Sequence, residues 1–165
     1  MANKEQFKAA VITVSDRCYK KEKEDISGKV ITKILTANGY IADFYKVIPD
    51  EKELIEKLLV DLADNQRYNL IITTGGTGCA KRDVTPEATQ DIAEKIVPGI
   101  SEAIRAQSLL TTKHAMLSRG ICVIRKESLI INLPGSPKAC DESMNVIIEA
   151  LPHALGLMRG EKLDA

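Results

Sequence analysis

The chain contains no tryptophan, and aromatic residues fill only 4% of its 165 positions. A row of bases therefore has almost nothing to stack on. Charge of one sign is also missing: 23 Lys and Arg balance 23 Asp and Glu. Proteins that track phosphate backbones usually carry a basic surplus, so nucleic acid is excluded as a partner, although a single local anion site is not. No apolar run approaches the ~20 residues a membrane-crossing helix needs, so a membrane partner is excluded as well. The four cysteines, Cys18, Cys79, Cys122 and Cys140, form no C-x-x-C pair and read as free thiols in a reducing compartment. The two histidines, His114 and His153, have no ligand spacing, so surface or packing roles are expected and a zinc site is not. The first eight residues include Glu5 and lack an apolar core. They do not read as a signal peptide, and the expected compartment is the cytoplasm.

What remains is an ordinary globular balance, 44% hydrophobic and 28% charged. The length suits one domain over residues 1–165 with a sizeable core. Short β-branched runs alternate with helical periods. Residues 7–15 read as a buried first strand that stops at Ser15-Asp16-Arg17, and the charge run 20–25 reads as a solvated loop. A helix is expected over 26–38, capped by Asp25 and ended by Gly39; a second strand over 40–48 precedes a helix reaching about Asp64. Asp50, three residues before Glu53, has the spacing of a capping box, which leaves it open whether Asp50 is a cap or a site residue. A third strand covers 69–73. Helices are expected from Thr85-Pro86 and over 100–110, interrupted at Val97-Pro98-Gly99. Two β-runs, 121–125 and 128–133, have hairpin spacing. Ser136-Pro137 then starts a last helix to about Met158, bent at Pro152. Alternating strands and helices with a late hairpin predict a three-layer α/β/α sandwich around a mostly parallel mixed central sheet.

The most informative stretch is 71–87, Ile-Ile-Thr-Thr-Gly-Gly-Thr-Gly-Cys-Ala-Lys-Arg-Asp-Val-Thr-Pro-Glu. An apolar strand breaks into glycines, passes Lys81, Arg82 and Asp83, and opens a helix. It is not a P-loop, because Gly78 is not followed by Lys and Ser or Thr; it is not a dinucleotide fingerprint, because the third glycine is absent. Glycines allow close backbone approach and expose amide donors to an anion, or simply make a tight turn. Asp83 could meet a phosphate through Mg²⁺ or merely favour the helix's positive end. Lys81 and Arg82 could neutralise phosphate or be solvated. With no nucleophile motif present, the chemistry available is carboxylates, cations and backbone amides, which suits phosphoryl or nucleotidyl transfer.

Several of these motifs occur together. Ser15-Asp16-Arg17, Ile48-Pro49-Asp50-Glu51, Thr73-Thr74-Gly75-Gly76-Thr77-Gly78, Arg82-Asp83-Val84-Thr85-Pro86-Glu87, Pro98-Gly99, Ser118-Arg119 and Leu133-Pro134-Gly135-Ser136-Pro137 resemble the molybdopterin adenylyltransferase family, which is MogA/MoaB-like and related to domains of plant Cnx proteins and gephyrin. The likeness runs over nearly the whole chain. It implies an α/β/α fold, a homotrimer, and the step of molybdenum cofactor synthesis that joins molybdopterin to AMP with Mg-ATP and releases pyrophosphate. A molybdate insertase would be the downstream partner.

By that resemblance Asp50 and Asp83 match the catalytic aspartates, with Asp83 holding Mg²⁺ and Asp50 a second ligand or orienting group. Thr74, Gly75, Gly76, Thr77 and Gly78 match the ligand-binding loop, with Lys81 or Arg82 beside it. Ser15, Asp16, Pro98, Gly99, Ser118, Arg119, Pro134, Gly135 and Ser136 match segments lining the pterin and nucleotide pockets. Some MoaB-type relatives lose an aspartate or the Arg-Asp-x-Thr-Pro pattern; this chain keeps both, which favours an active enzyme. The alternative is a molybdopterin carrier or scaffold of the same fold that performs no transfer. A further rival is an unrelated nucleotide-binding regulator.

Overall fold

A computed structural model describes residues 6–162. Its centre is a six-stranded sheet in the order β2-β1-β3-β6-β5-β4. The strands are β1 Lys8–Val14, β2 Ile41–Ile48, β3 Leu70–Thr74, β4 Lys95–Ile96, β5 Cys122–Arg125 and β6 Ser128–Leu133. The pairs β1–β2, β1–β3 and β3–β6 are parallel; β5–β6 and β4–β5 are antiparallel. This is the expected mostly parallel mixed sheet. The hairpin closes with Arg125 opposite Ser128, and Lys126 takes a left-handed φ of 51° to make the turn.

The helices are α1 Asp16–Tyr19, α2 Ser27–Ala37, α3 Lys52–Val60, α4 Thr85–Asp91, α5 Pro98–Leu109, α6 Pro137–Ile147 and α7 Leu151–Met158. A π-helical extension, Asp61–Asn65, prolongs α3, and a 3₁₀ turn, Lys113–Leu117, follows α5. Strand side chains alternate between two faces, and each face has its own core. Ala9, Val11, Leu70, Ile72, Leu129 and Ile131 pack with Ile31, Leu35, Ile104, Met144 and Leu155 from α2, α5, α6 and α7. Ala10, Ile12, Ile71 and Ile130 pack with Ile55, Leu59, Ala88 and Ile92 beside α3 and α4. All residues of β3 and β6 are buried. These central strands need apolar residues on both faces, which is why they read as continuous runs in the sequence.

Several boundaries differ from expectation. Residues 16–19, next to the expected solvated loop, form the short helix α1, because the Ser15 hydroxyl caps it by accepting from the Cys18 N–H. Helix α5 begins at Pro98 rather than after Gly99, consistent with proline's fitness for a first helical position. The last helical stretch is two helices, not one bent at Pro152; Pro152 sits in the first turn of α7. Asp25 does accept from the Gly28 N–H, but from one position before the N-cap, Ile26. No helix among the described residues is long and apolar enough to cross a membrane.

Candidate functional site

Four chain reversals meet at the carboxyl edge of the parallel strands, where open α/β sheets bind ligands. They follow β1 at Ser15-Asp16, β2 at Asp50, β3 at Gly75–Gly78 and β6 at Pro134–Ser136.

The glycine loop has two positions that require glycine. Gly75 has φ 94° and Gly76 has φ 67°, the left-handed region in which a Cβ is disfavoured. A Cβ at Gly75 would lie 2.3 Å from the Val14 carbonyl oxygen, and one at Gly76 would lie 2.3 Å from Thr85 Oγ1 and 3.1 Å from Asp50 Oδ1. A Cβ at Gly78 would come within 2.8 Å of Asp83 Oδ2. The loop thus threads between the two aspartates, and only bare glycine backbone fits between their carboxylates.

Neighbouring groups hold the loop's backbone. The Thr85 hydroxyl donates to the Gly75 carbonyl at 3.0 Å, and the Thr85 N–H donates to the Gly76 carbonyl at 3.1 Å. Thr85, a residue type that often caps helices, does not cap this one; α4 has Val84 at its N-cap and no capping side chain. The backbone N–H of Arg119 donates to the Thr77 carbonyl at 2.9 Å. The Arg119 guanidinium donates to the Gly78 and Asp83 carbonyls, both at 2.7 Å, and to the Glu87 carboxylate. Arg119 consequently acts as a clamp on residues 77–83.

Asp50 is not the helix cap that its spacing allowed. Glu51 occupies the N-cap of α3 and makes no side-chain cap bond. Instead Asp50 and Asp16 exchange bonds: the Asp16 N–H donates to Asp50 Oδ2 at 2.8 Å, and the Asp50 N–H donates to Asp16 Oδ1 at 3.1 Å. Arg82 donates to Asp16 at 2.5 and 3.1 Å and to Glu51 at 2.8 Å. The guanidinium holds the Asp16 carboxyl below its ordinary range. Burial pushes Asp50 the other way, helped by the nearby Asp16 and Asp83 charges, although the Asp16 N–H and Arg82 pull against the rise. Asp83 accepts from the Ala80 N–H at 3.0 Å. Neither Asp50 nor Asp83 has a cation within 4 Å among the described residues.

Two cavities open at this edge. One, about 340 Å³, is lined by Ser15, Asp50, Thr74, Ser136 and the floor residues Thr13 and Asp25. The other, about 430 Å³, is lined by Thr77, Gly78, Ile104, Arg105, Ser118 and Pro134. Both are bordered by Gly76, Asp83 and Gly135, so they are two lobes of one cleft that meet beside the glycine loop.

A hydrogen-bonded base keeps the smaller lobe in shape. Asp25 is buried and accepts from the Thr13 hydroxyl at 2.6 Å, from the Tyr45 hydroxyl and from the Gly28 N–H at 3.1 Å. Ser27 donates to the Gly135 carbonyl at 2.8 Å, and the Thr74 hydroxyl donates to the Pro134 carbonyl at 2.6 Å. These bonds fasten the Pro134–Gly135 turn to the start of α2 and to β3. Cys140 lies against the same turn, and burial pushes its thiol up to about 11, so it packs as a neutral group.

Of the residues singled out in the sequence, Ser15, Thr74, Gly75, Gly76, Thr77, Gly78, Asp50, Asp83, Ser118, Pro134, Gly135 and Ser136 line the cleft. Asp16 and Arg119 stand behind it as supports. Arg82 is committed to Asp16 and Glu51 rather than standing free for an anion. Lys81 is exposed and lines neither lobe; Pro98 and Gly99 are exposed at the start of α5 and also line neither. Sequence reasoning missed Arg105, Glu142 and the Asp25 base, and it assigned His114 no part in a site although that residue lines the larger lobe. Asp25 was visible only as a helix cap. Nothing in the sequence marks Arg105 or Glu142, which reach the cleft from the middle of helices.

Comparison with known proteins gives a family. Residues 10–153 match the family model described as "Probable molybdopterin binding domain". The chain is 42% identical over 158 residues to the molybdopterin adenylyltransferase of Helicobacter pylori, covering 93% of this chain and 89% of that protein. It is 47% identical over 131 residues to the Haemophilus influenzae protein of the same name, covering 72% and 66%. Among solved structures, the molybdopterin biosynthesis enzyme MoaB from Thermus thermophilus superposes with a TM-score of 0.90 at 40% identity, covering 96% of this chain and all of the other. The chain belongs to this molybdopterin-binding family, and the resemblance carried by its motifs holds.

Proposed function

We propose, with that family membership as the premise, that this chain is a nucleotidyltransferase of molybdenum cofactor biosynthesis: a molybdopterin adenylyltransferase that moves AMP from Mg-ATP to the terminal phosphate of molybdopterin and releases pyrophosphate. The observation that carries the reading is the two-lobed cleft whose lobes meet at Gly76, between Asp50 and Asp83. Two substrates need two compartments and a shared point where their phosphates meet.

In this reaction a terminal phosphate oxygen forms a bond to the α-phosphorus of ATP while the α–β bridging bond breaks and pyrophosphate leaves. The attacking phosphate has a second pKa near ~6 and is already anionic at neutral pH, so no general base is required. The main barrier is repulsion between anions and charge growing on the leaving group. The donor set fits Mg²⁺, which ordinarily takes one or two carboxylates and completes its shell with phosphate oxygens and water. Asp83 and Asp50 Oδ1 would hold it, and bound there it would neutralise the phosphates and the departing pyrophosphate. The Gly75–Gly78 amides would orient phosphate oxygens in line. Arg82 would act through Asp16 to position Asp50, and Arg119 would keep the loop that carries Asp83 in register. Lys81, exposed on the same loop, would be a cation within the loop's reach for an incoming phosphate. The rest of the proposal is one domain over residues 1–165, a cytoplasmic homotrimer and a molybdate insertase as recipient of the product.

One assay tests the reading. The protein is mixed with molybdopterin and Mg-ATP, and the products are examined by mass spectrometry. Adenylylated molybdopterin is expected. Pterin binding without product would replace the transferase with a carrier or scaffold, and no pterin binding would reject both.

A further inference from the structure

A buried amide lies behind the cleft. Asn132, on β6, is 3% exposed and lines neither lobe. Its Nδ2 donates to the Thr73 and Thr89 hydroxyls, both at 2.9 Å, and its Oδ1 accepts from the Ile121 N–H at 3.2 Å. Thr89, fully buried on α4, donates in turn to the Thr85 carbonyl at 2.8 Å. These neighbours fix which way the amide points. The Ile121 N–H can only donate, and the Thr89 hydroxyl, its proton given to Thr85, has only lone pairs left to offer. A carboxylate here would set acceptor against acceptor at Thr89. A leucine would leave the Ile121 N–H without this partner.

Each of these bonds ends close behind a part of the site. Thr73 precedes Gly75 by two residues, Ile121 follows Arg119 by two, and Asn132 itself precedes Pro134 by two. Thr89 stands one turn after Thr85, whose hydroxyl and N–H hold the Gly75 and Gly76 carbonyls. The backbone is close-packed there as well: a Cβ at Gly120 would lie 3.0 Å from the Asn132 carbonyl oxygen. One side chain thus ties the strand that carries the glycine loop to the helix that steadies it and to the segment that carries Arg119. Buried polar networks whose members are satisfied rigidify what they connect.

We propose that Asn132 and Thr89 are positioning residues for AMP transfer. They couple the two clamps on the glycine loop, Thr85 at Gly75–Gly76 and Arg119 at residues 77–83. This rests on the adenylyltransferase reading and adds to it two residues that meet no substrate. With the relay intact, the loop amides and Asp83 keep one register where the phosphates meet. Without it, Thr85 and Arg119 each still hold their own stretch, but the tie between the stretches is lost. Binding, made by the walls of the lobes, survives; in-line alignment does not.

The test is single-turnover AMP transfer by the full chain, with the affinities for molybdopterin and Mg-ATP measured separately. Thr89→Val keeps the shape of the side chain and removes the hydroxyl. Transfer is expected to slow by about 10–100-fold, with both affinities within about twofold of wild type. Thr89→Ser keeps the hydroxyl and is expected to hold the rate within about threefold of wild type. Asn132→Asp is expected to match Thr89→Val. The double variant should lose no more than about threefold beyond the slower single one, because residues that act as a unit are non-additive. A wild-type rate in folded Thr89→Val, an equal loss in Thr89→Ser, or losses that multiply in the double variant overturn the inference. So does a loss of affinity large enough to explain the slower rate, which would make the two residues braces of a binding lobe. Should Asn132→Asp fail to fold, the Thr89 pair decides alone; should Thr89→Val fail, the rate and affinities of Asn132→Asp decide. If wild type transfers AMP and the variants do so equally well, only this inference falls. If wild type transfers none, the adenylyltransferase reading falls and this one with it.

Discussion

The two ends of the parallel strands treat charge in opposite ways. At the amino end, charged groups are used up on one another. Arg125, at the end of β5, donates to Asp64 at 2.9 and 2.6 Å and to the Ile92 carbonyl at 3.0 Å. The Tyr68 hydroxyl donates to Asp43 at 2.8 Å, and Lys8 lies 4.5 Å above the Tyr68 ring. At the carboxyl end, Arg82 and Arg119 are also paired, but among the described residues the Asp50 and Asp83 carboxylates accept only from backbone N–H groups. Paired charge closes and braces the fold. Carboxylates crowded together without a cation oppose it, and such an arrangement persists where a ligand completes it. The same residue types therefore have different meanings at the two edges, and the compensation around them separates the two.

The sharpest way to break this contrast is Asp83→Asn. Losing a carboxylate that would neutralise phosphate charge should lower AMP transfer by about 10²–10⁴-fold, measured as single-turnover product formation, with pterin affinity unchanged. Normal turnover would reject the assignment. Asp50→Asn should lose at least about 10²-fold on the same grounds, yet become more stable. Burial raises the pKa of Asp50 above its ordinary 3.8. The folded state then binds more protons than the unfolded one between the two values, and stability falls as pH rises through that window. Removing the charge should lift the denaturation midpoint at neutral pH, and the gain should fade below the ordinary carboxylate range. The Asp16 N–H keeps an oxygen partner in the variant. A lower midpoint at neutral pH would show that Asp50 is a brace after all.

Gly76→Ala should cost about 1–3 kcal/mol by denaturant titration, because alanine is strained at φ 67° and its Cβ meets Thr85 Oγ1. Activity should fall with it, as the loop between the aspartates shifts. The smallest effect belongs to the other edge. Asp64→Asn should cost about 0.5–1 kcal/mol at neutral pH and leave AMP transfer unchanged. Arg125 holds the Asp64 carboxyl below its ordinary pKa, so this contribution is present above the unfolded value and is lost as pH falls through the folded one. The penalty should therefore vanish in acid. A matching loss of transfer in Asp64→Asn would dissolve the distinction between the two edges.

Much of the fold could be read from local pattern. The continuous apolar runs of β1, β3 and β6, the Ser136-Pro137 start of α6 and the Gly39 stop after α2 each follow from physics confined to a few neighbouring residues. Two capping roles that local spacing allowed were lost where a group elsewhere in the chain intervened. Thr85 turned its hydroxyl to the Gly75 carbonyl instead of capping α4, and Asp50 took the Asp16 N–H instead of capping α3. The two-residue β4 at Lys95–Ile96 has no strand signal of its own and exists because β5 offers it an edge.

By itself the sequence determined the alternation that makes an α/β sandwich, the glycine loop that is no P-loop, and the set of motifs that places the chain in its family. Periodicity, turn chemistry and motif order are one-dimensional properties. Only the tertiary structure decided which charges are left uncompensated. Nothing along the chain says that Arg82 and Arg119 are paired with carboxylates, or that Asp64 is paired and Asp83 is not. Pairing depends on which side chains the sheet order brings within a few ångströms, across separations as wide as the 66 positions between Asp16 and Arg82. Electrostatic interaction follows distance in space, and the chain encodes that distance only through its fold.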